Sequence, residues 1–475
     1  MSRSMTRRQA LGTSAAGLGY FFTAPSFAAA RIAGANGRLS VVGIGVGGKG
    51  SSDIDNASSL MDVIAICDID EGNLGNKAKK WAQAKKFFDF RKLFDDSEIV
   101  RNMDAATIST PDHTHALAAA MAIRNKKHVY VQKPLTHSVF EAHYLKKLAK
   151  QNGVCTQMGN QGTAASGLRR AVELVQEGVI GPVKEVHVWT NRPIWPQAPQ
   201  VIQRLPEAPV PEGVHWDEFI GPAPFRPFAA SAMGDGPKRK LKSAYHPFAW
   251  RGYWDFGTGA IGDMACHTAN MAFMALKLGS PSSVSAEAGD VNPETCPSFA
   301  HVVLNFPARE GLPPVTLHWY EGKKNGEKLT PPQALLEKVL KPGEKLANSG
   351  SLMVGEKGLL FSPSDYGSEI RITPAGIVEG KNLTKPEKLA INNKGDQGQK
   401  DEWVEAIKAN KPELALSNFD YASMLTAAFL LGNVAIRTGK PFEFDGETVT
   451  AKNSPEANAL IKTEYRKGWD MLEKA

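Results

Sequence analysis

The sequence predicts an α/β fold with two parts: a doubly wound parallel sheet, then an α+β domain with a large, mostly antiparallel open sheet. Three observations lead to this prediction. A glycine-rich turn follows the first apolar run, strand-like and helix-like segments alternate from residue 39 to about 158, and strand-like segments separated by long loops dominate after residue 160. We therefore divide the chain into residues 1–30, 31–158 and 159–475.

The glycine-rich turn carries the pattern Gly43-x-Gly45-x-x-Gly48. Glycines permit a tight turn in which a pyrophosphate approaches the free N–H groups of the next helix. A second apolar run closes on Asp68, 20 positions after Gly48, where a carboxylate accepts hydrogen bonds from ribose hydroxyls. The combination predicts a dinucleotide site in a Rossmann domain. Because no arginine closely follows Asp68, we expect NAD rather than NADP.

Polar residues follow each predicted strand of this first sheet, at the edge where doubly wound sheets bind their ligands. They are residues 43–48, Asp68, residues 110–115, Gln132 with Lys133, and residues 159–161. A lone histidine or lysine is most often a surface residue. Because all these polar residues cluster at one edge of the predicted sheet, a functional role is favoured for His115 and Lys133.

A strong helix is predicted over residues 260–278, and Asp263 and His267 lie four positions apart on one face of it. A carboxylate beside an imidazole holds its tautomer and raises its basicity, which suits proton transfer. The alternative is a surface pair or a helix cap. No third ligand follows at a recognisable spacing, so a metal site is not predicted.

Residues 191–247 are rich in proline, tryptophan and phenylalanine, and loops of this length usually line a binding site. Candidate substrate contacts here and in the helix are Arg192, Tyr245, His246 and His267. Five tryptophans are conspicuous: Trp189, Trp195, Trp216, Trp250 and Trp254. These tryptophans have two possible interpretations, which the sequence leaves open: they pack the loops together, or they form a platform on which the apolar faces of a sugar stack.

The first thirty residues resemble a targeting segment. Residues 6–11 are close to a twin-arginine signal, an apolar run follows, and residues 24–28 form a small-x-Ala cleavage pattern. The run is too short for a membrane span, so we expect an exported, periplasmic protein. Three of the seven net positive charges lie in this segment, and the remainder is spread through mixed-sign sequence, so nucleic acid is not an expected partner.

Several motifs together resemble the Gfo/Idh/MocA family of oxidoreductases. They are Gly43-Ile44-Gly45, Thr110-Pro111-Asp112-x-x-His115, Lys133-Pro134, Met158-Gly159-Asn160-Gln161, Gly262-Asp263-x-x-x-His267 and Tyr465-Arg466-x-Gly468-Trp469. The resemblance implies an NAD(P)-binding domain and a second domain whose open sheet often forms the oligomer interface. We therefore expect a homo-oligomer through the C-terminal sheet and a small carbohydrate substrate.

The resemblance also implies roles for individual residues. Lys133, Asp263 and His267 are the expected catalytic residues. The expected cofactor contacts are Gly43, Gly45, Val46, Gly47, Gly48, Asp68, Thr110, Asp112, His115, Gln132, Lys133 and Asn160. One departure is clear: Gln132 stands where the family usually has a glutamate, which removes a charge beside Lys133.

Three functions remain open. The first is an NAD-dependent oxidoreductase that acts on a sugar, polyol or glycoside with a tightly bound cofactor. The second is an NAD-dependent glycoside hydrolase that oxidises, eliminates and re-reduces. The third, a non-catalytic sugar- or nucleotide-binding protein, is disfavoured by the presence of both Lys133 and the Asp263/His267 pair.

Overall fold

A computed structural model describes residues 37–233 and 240–472; the predicted leader lies outside these residues. The first sheet has six parallel strands in the order β3-β2-β1-β4-β5-β6. The strands are β1 Leu39–Ile44, β2 Met61–Cys67, β3 Lys85–Phe87, β4 Ala105–Ile108, β5 His128–Gln132 and β6 Thr156–Gly159. The order reverses between β1 and β4, and a ligand crevice opens at such a reversal. The predicted doubly wound sheet is confirmed.

Helices cover this sheet, and side-chain caps start several of them. They are α1 Gly48–Ser58, α2 Glu71–Ala78, α3 Phe90–Asp95, α4 Ser97–Asn102, α5 Asp112–Arg124 and α6 Val139–Asn152. Asp70 caps α2 by accepting from the N–H groups of Gly72 and Asn73. Ser138 and Glu141 form a capping box at α6.

The second sheet is mixed and mostly antiparallel, as predicted, in the order β16-β15-β14-β7-β12-β11-β10-β17-β18, and β13 pairs with β12. Only β7 and β12 run parallel within this path. Its strands are β7 Val183–Trp189, β10 Ser283–Gly289, β11 Phe299–Phe306, β12 Val315–Lys324, β13 Glu327–Lys328, β14 Gly350–Gly355, β15 Leu359–Ser362, β16 Arg371–Thr373, β17 Phe442–Asp445 and β18 Thr450–Lys452. β8 Ala230–Met233 and β9 Lys240–Ser243 pair as a separate two-stranded antiparallel sheet.

The helices of the second half are α7 Ser166–Gln176, α8 Trp216–Ile220, α9 Gly259–Thr268, α10 Asn270–Ala275, α11 Gln333–Val339, α12 Gly395–Ala409, α13 Phe419–Thr438 and α14 Pro455–Ile461. The helix predicted over residues 260–278 is therefore two helices, which meet at Ala269. Helix α13 is long and apolar enough to cross a membrane by length and composition, but 78% of its apolar window is buried inside the protein. It packs on β10 and β11 as a core helix.

The second sheet buries one face more completely than the other. Alternate residues of β11 (Ala300, Val302, Leu304, Phe306) are at most 1% exposed, whereas the residues between them are half-buried. The inner face packs against α13. The outer face carries His301 and His318, whose rings stack beside Tyr320. Self-association through this sheet stays a prediction.

Helix α12 returns to the first domain. Trp403, Val404, Ala406 and Ile407 share a core with residues of β1 and β2. The Trp403 indole N–H donates to the carbonyl of Cys155 at 3.2 Å. In space, a boundary at residue 158 therefore does not separate the halves, because α12 completes the core beneath the first sheet.

Candidate active site

A cavity of about 620 Å³ lies at the carboxyl ends of the first sheet, where loops of the second half fold over it. Twelve of the residues predicted for the site line it: Gly45, Gly47, Gly48, Asp68, Thr110, Asp112, Gln132, Lys133, Arg192, His246, Asp263 and His267. Five do not line it: Gly43, Val46, His115, Asn160 and Tyr245. The structure thus joins residues spread over more than 200 positions of sequence at one crevice.

The glycine fingerprint lies two residues later than predicted, at Gly45-x-Gly47-x-x-Gly50. Gly45 has φ +76°, and a Cβ there would lie 2.6 Å from the Ser109 carbonyl oxygen. A Cβ on Gly50 would lie 1.9 Å from the Gly45 carbonyl oxygen, so helix α1 can approach the strand only because of this glycine. Gly43 is instead a buried residue of β1. The prediction for Gly43 is corrected for this reason.

Asp68 follows β2 and braces the glycine-rich turn. Its Oδ2 accepts from the N–H groups of Val46 and Gly47 at 2.8 and 2.9 Å, and its Oδ1 accepts from the N–H of Asp70 at 3.0 Å. Burial raises the pKa of Asp68 above its ordinary value, and these donors offset part of that rise. Among the described residues, apart from its chain neighbours and the backbone of its own helix, no heavy atom lies within 4 Å of the position that a Cβ on Gly48 would take. An open glycine turn with a carboxylate beside it fits the pyrophosphate and ribose of NAD.

A segment of the second half covers the crevice next to Asp68. The N–H of His215 donates to the Ile69 carbonyl at 2.8 Å, and the N–H of Glu71 donates to the Gly213 carbonyl at 2.9 Å. The His246 ring lies 2.8 Å from Asp70 Oδ2. His246, predicted to contact substrate, therefore lies at the ribose-binding end of the cavity.

Tyr245, the neighbour of His246, is 1% exposed and does not reach the cavity. Its ring packs against Trp216, Tyr253 and Phe256 at 4.7 to 5.7 Å between centroids. The prediction of a substrate contact is corrected, because this ring is part of the aromatic core that supports the covering segment.

Lys133 and Asp263 form the charged centre of the opposite end. Lys133 Nζ donates to Asp263 Oδ1 at 2.6 Å and to the Asp263 carbonyl at 2.9 Å. Arg251 Nε lies 3.5 Å from Oδ1, and Arg192 Nε lies 3.9 Å from Oδ2. Burial favours the neutral acid, but Lys133 and Arg251 lower the pKa of Asp263 to about 2, so the carboxylate stays ionised.

His267 lies one helical turn after Asp263 and is 3% exposed. Burial, assisted by Lys133, holds the pKa of the imidazole well below its ordinary value, so the ring is neutral. Among the described residues, Nδ1 of His267 has no hydrogen-bond partner, and the Asp263 carboxylate hydrogen-bonds to Lys133 instead. The expected carboxylate–imidazole hydrogen bond is therefore replaced by a carboxylate–lysine pair.

Asp112 is the first residue of α5. Its Oδ2 accepts from the N–H and the hydroxyl of Thr258 at 3.1 and 2.7 Å. Burial raises the pKa of this carboxyl to about 7, despite the Thr258 hydroxyl and Arg251. Near neutral pH, Asp112 thus presents a carboxyl that is only partly ionised.

His115 and Asn160 hold the walls of the cavity from behind. His115 Nδ1 and Nε2 each lie 2.8 Å from a carbonyl oxygen, of Pro134 and Thr110 respectively. Burial lowers the pKa of His115 to about 4, so the ring is neutral and donates to one of these two oxygens. Asn160 Nδ2 donates to the Cys266 carbonyl at 3.1 Å. Their predicted cofactor contacts are corrected, because these polar atoms bind backbone that shapes the site.

Gln132 belongs to a buried charge network. Its Nε2 donates to Asp53 Oδ2 at 2.8 Å. Asp53 Oδ1 pairs with Lys400 of α12 at 2.6 Å and with Lys49 at 2.9 Å. Although burial opposes ionisation, the two lysines hold the pKa of Asp53 below its ordinary value. A carboxylate is therefore present beside residue 132, but α1 supplies it.

Sequence analysis missed several residues that line the cavity, chiefly Arg251 and Tyr366. The Tyr366 ring meets the His267 ring edge-on at 4.8 Å. Its loop is distant in sequence and carries no pattern that links it to the site. Arg251, in contrast, lies between two tryptophans of the aromatic stretch. Trp195 and Trp250 line the cavity, whereas Trp189, Trp216 and Trp254 pack elsewhere.

Comparison with known families gives two matches. Residues 38–160 match the Gfo/Idh/MocA model described as an oxidoreductase family with an NAD-binding Rossmann fold. Residues 164–311 match the model of that family's C-terminal alpha/beta domain.

Among curated proteins, the chain is 31% identical over 94 residues to 2,7-anhydro-N-acetylneuraminate hydratase of Escherichia coli, which is 19% of this chain and 25% of that protein. It is 25% identical over 155 residues to myo-inositol 2-dehydrogenase of Thermotoga maritima, which is 32% of this chain and 45% of that protein. The chain thus matches less than half the length of these relatives.

Solved structures share the fold over most of the chain. Aldose-aldose oxidoreductase from Caulobacter crescentus, complexed with glycerol, has a TM-score of 0.54 at 14% identity, covering 86% of this chain and 100% of that one. The WlbA dehydrogenase from Bordetella pertussis, in complex with NADH and UDP-GlcNAcA, has a TM-score of 0.54 at 15% identity, covering 86% and 98%.

Proposed function

Because the chain belongs to the Gfo/Idh/MocA family of NAD-binding oxidoreductases, we propose that it transfers a hydride between NAD and a sugar, polyol or glycoside. One observation carries the proposal: the Lys133–Asp263 pair lies beside the neutral His267 in the cavity that the glycine-rich turn opens. A cation and a neutral base at one place suit the removal of a hydroxyl proton as the carbon is oxidised.

NAD, when bound, accepts the hydride from the carbon and can return it. The protein groups handle the proton. Lys133 uses two donors on Asp263, which leaves a third N–H to orient the substrate oxygen. His267 is neutral and its ring lines the cavity, so a ring nitrogen that carries no proton can accept the hydroxyl proton. Asp263 keeps the lysine in place and balances its charge.

The cover over the ribose-binding end supports tight retention of the cofactor. Residues 213–215 and His246 bind residues 69–71 through backbone and side-chain hydrogen bonds, so this end of the crevice is covered by protein. Retention also fits export of a folded, loaded protein, which we propose from the leader-like sequence of residues 6–28. A retained cofactor must be regenerated in the same site.

A glycoside hydrolase that oxidises, eliminates and re-reduces is the second candidate. Retention favours it, because the hydride taken in the first step returns in the last. After oxidation, His267, once it has released the first proton to solvent, can remove the proton beside the new carbonyl, and the aglycone leaves with the electron pair. Water then adds to the double bond that elimination leaves, and the hydride returns to the carbonyl carbon.

The test combines three measurements on purified protein. Denaturation followed by assay of released nicotinamide measures retention, and absorbance at 340 nm follows NADH during turnover of sugars, polyols and aryl glycosides. We expect Lys133→Ala to lower turnover by about a hundredfold or more while NAD stays bound. The exposed Lys408 of α12 provides the control, Lys408→Ala, with unchanged turnover.

The outcomes separate the candidates. Accumulation of NADH with an oxidised sugar supports a dehydrogenase, and release of the aglycone without net NADH supports the hydrolase. Protein that binds sugar and NAD but turns over none of the panel would instead be a binding protein. Normal turnover of Lys133→Ala would contradict the assignment of the centre.

A further inference from the structure

The end of the cavity around Asp263 holds more positive than negative charge. Three cations, Lys133, Arg192 and Arg251, each have a nitrogen within 4 Å of the single Asp263 carboxylate. His267 is neutral there, and Asp112 is only partly ionised near neutral pH. One or two positive charges thus remain uncompensated, on side chains that are only 15 to 22% exposed.

The two arginines retain unused hydrogen-bond donors. Arg192 Nη1 donates to the Asn191 side chain, and Arg251 Nη1 donates to the Phe248 carbonyl at 3.1 Å. Within the described ranges, Nη2 of both guanidinium groups has no hydrogen-bond partner. The Nε atoms of Arg192 and Arg251 lie 3.9 and 3.5 Å, respectively, from the Asp263 carboxylate. Such distances indicate charge attraction rather than good hydrogen bonds.

Aromatic rings hold Arg251 in place. Its guanidinium carbon lies 4.2 Å from the centroid of Trp250 and 4.8 Å from that of Phe248. A stacked guanidinium loses little freedom when it binds a ligand, and its planar donors match the two oxygens of a carboxylate. The site therefore has both the charge and the geometry for an anionic group.

We propose that the substrate is a sugar acid whose carboxylate binds Arg192 and Arg251. This inference rests on the proposed function and specifies its substrate class. The anion lies close to Lys133, so the acid group must be carried by the same sugar unit that is oxidised. The planar edge of an arginine suits a carboxylate or a phosphate, but within the described ranges no cradle of backbone N–H groups surrounds these two arginines, which favours a carboxylate.

Isothermal titration of the NAD-loaded protein tests the inference without relying on turnover. The probes are D-glucuronate and D-galacturonate, each compared with its uncharged methyl ester and with glucose 6-phosphate. We expect at least one acid to bind tenfold or more tightly than its ester. Arg192→Gln and Arg251→Gln should each lower the affinity for that acid at least tenfold and change ester binding less than threefold.

Two further variants keep the test decisive. Arg251→Lys keeps the positive charge but removes the planar guanidinium group, and it should therefore weaken binding of the acid. This variant keeps the test valid even if Arg251→Gln fails to fold. Arg204, an exposed arginine of the same loop region outside the cavity lining, gives the control Arg204→Gln, with unchanged binding.

Equal binding of acids and esters, or tighter binding of glucose 6-phosphate, would overturn the inference. Preferential binding of an acid without any change at 340 nm or release of an aglycone would support the anion subsite and contradict the proposed function. Turnover of neutral sugars with no preference for acids would support the proposed function and contradict the anion subsite.

Discussion

Gln132 donates a hydrogen bond from its amide to a carboxylate, and a glutamate at this position could do so only when protonated. Its Nε2 lies 2.8 Å from Asp53 Oδ2, and both side chains are buried. An ionised glutamate would place a second negative charge there, in a region whose two lysines already pair with Asp53. The amide at residue 132 and the carboxylate at residue 53 therefore depend on each other.

We expect Gln132→Glu to lower the free energy of unfolding by about 2 kcal/mol, because it places two carboxylates, both hydrogen-bond acceptors, side by side in a buried site. Adding Asp53→Asn should restore most of the loss, because the new amide can donate to the glutamate. Urea unfolding of the two single variants and the double variant measures this coupling. The exposed Gln83 gives the control, Gln83→Glu, with almost no effect. Additive losses would contradict the pairing.

The raised pKa of the buried Asp112 carboxyl predicts that the stability of the protein depends on pH. Its pKa is about 7 in the folded protein and near the ordinary value of 3.8 when unfolded, so the folded state binds the extra proton between these values. Stability is therefore lost as pH rises from about 4 to 7. Asp112→Asn keeps the acceptor for Thr258 and removes the titration.

The advantage of Asp112→Asn over the unchanged protein should grow from pH 4 to 7 and level off above, reaching on the order of 4 kcal/mol. Urea unfolding across this range measures the difference. Asp95, an exposed surface carboxylate, gives the control Asp95→Asn, with a flat difference. A flat difference for Asp112→Asn as well would show that Asp112 titrates normally.

Helix α12 supplies the buried cation of the charge network from the far end of the chain. Lys400 Nζ lies 2.6 Å from Asp53 Oδ1 and 3.7 Å from the centre of the Tyr130 ring. Both charged side chains are fully buried. Removing one partner of such a pair leaves the other poorly compensated, which is costly even where the intact pair adds little stability.

We expect Lys400→Met to lower the free energy of unfolding by about 3 kcal/mol, and Asp53→Asn in the same chain to recover part of it. Lys408→Met, an exposed change on the same helix, should alter it by less than about 0.5 kcal/mol. Urea unfolding followed by tryptophan fluorescence measures both. An equal loss of unfolding free energy in Lys400→Met and Lys408→Met would contradict a role for the buried ion pair, because the loss would then reflect only the helix propensity of the new residue.

At the scale of elements, the glycine-rich turn shows the limit of a sequence pattern. Residues 43–50 contain two overlapping G-x-G-x-x-G frames, and both follow an apolar run. Only the close contact of Gly50 with the Gly45 carbonyl selects the second frame. Likewise, the break at Ala269 that separates α9 from α10 has no glycine or proline to signal it.

At the scale of the molecule, local periodicity predicted both sheets, because strand patterns are local properties of sequence. The family resemblance predicted the centre of the site, because its motifs assign Lys133, Asp263 and His267 to one site although these residues are distant along the chain. Arg251, Tyr366 and Lys400 were not predicted, since only tertiary packing brings them to the crevice or its support. Self-association and export stay predictions.

The return of α12 to the first domain has a consequence for biosynthesis. A ribosome releases β1 to β6 early, but Lys400 and Trp403 emerge only after most of the second sheet has been made. Until then, Asp53 lacks its buried cation and the core beneath the first sheet stays open on one side. The nucleotide-binding half is therefore completed late although its sheet is translated first, and a chain stopped at residue 311 would contain both matched family regions without a finished first domain.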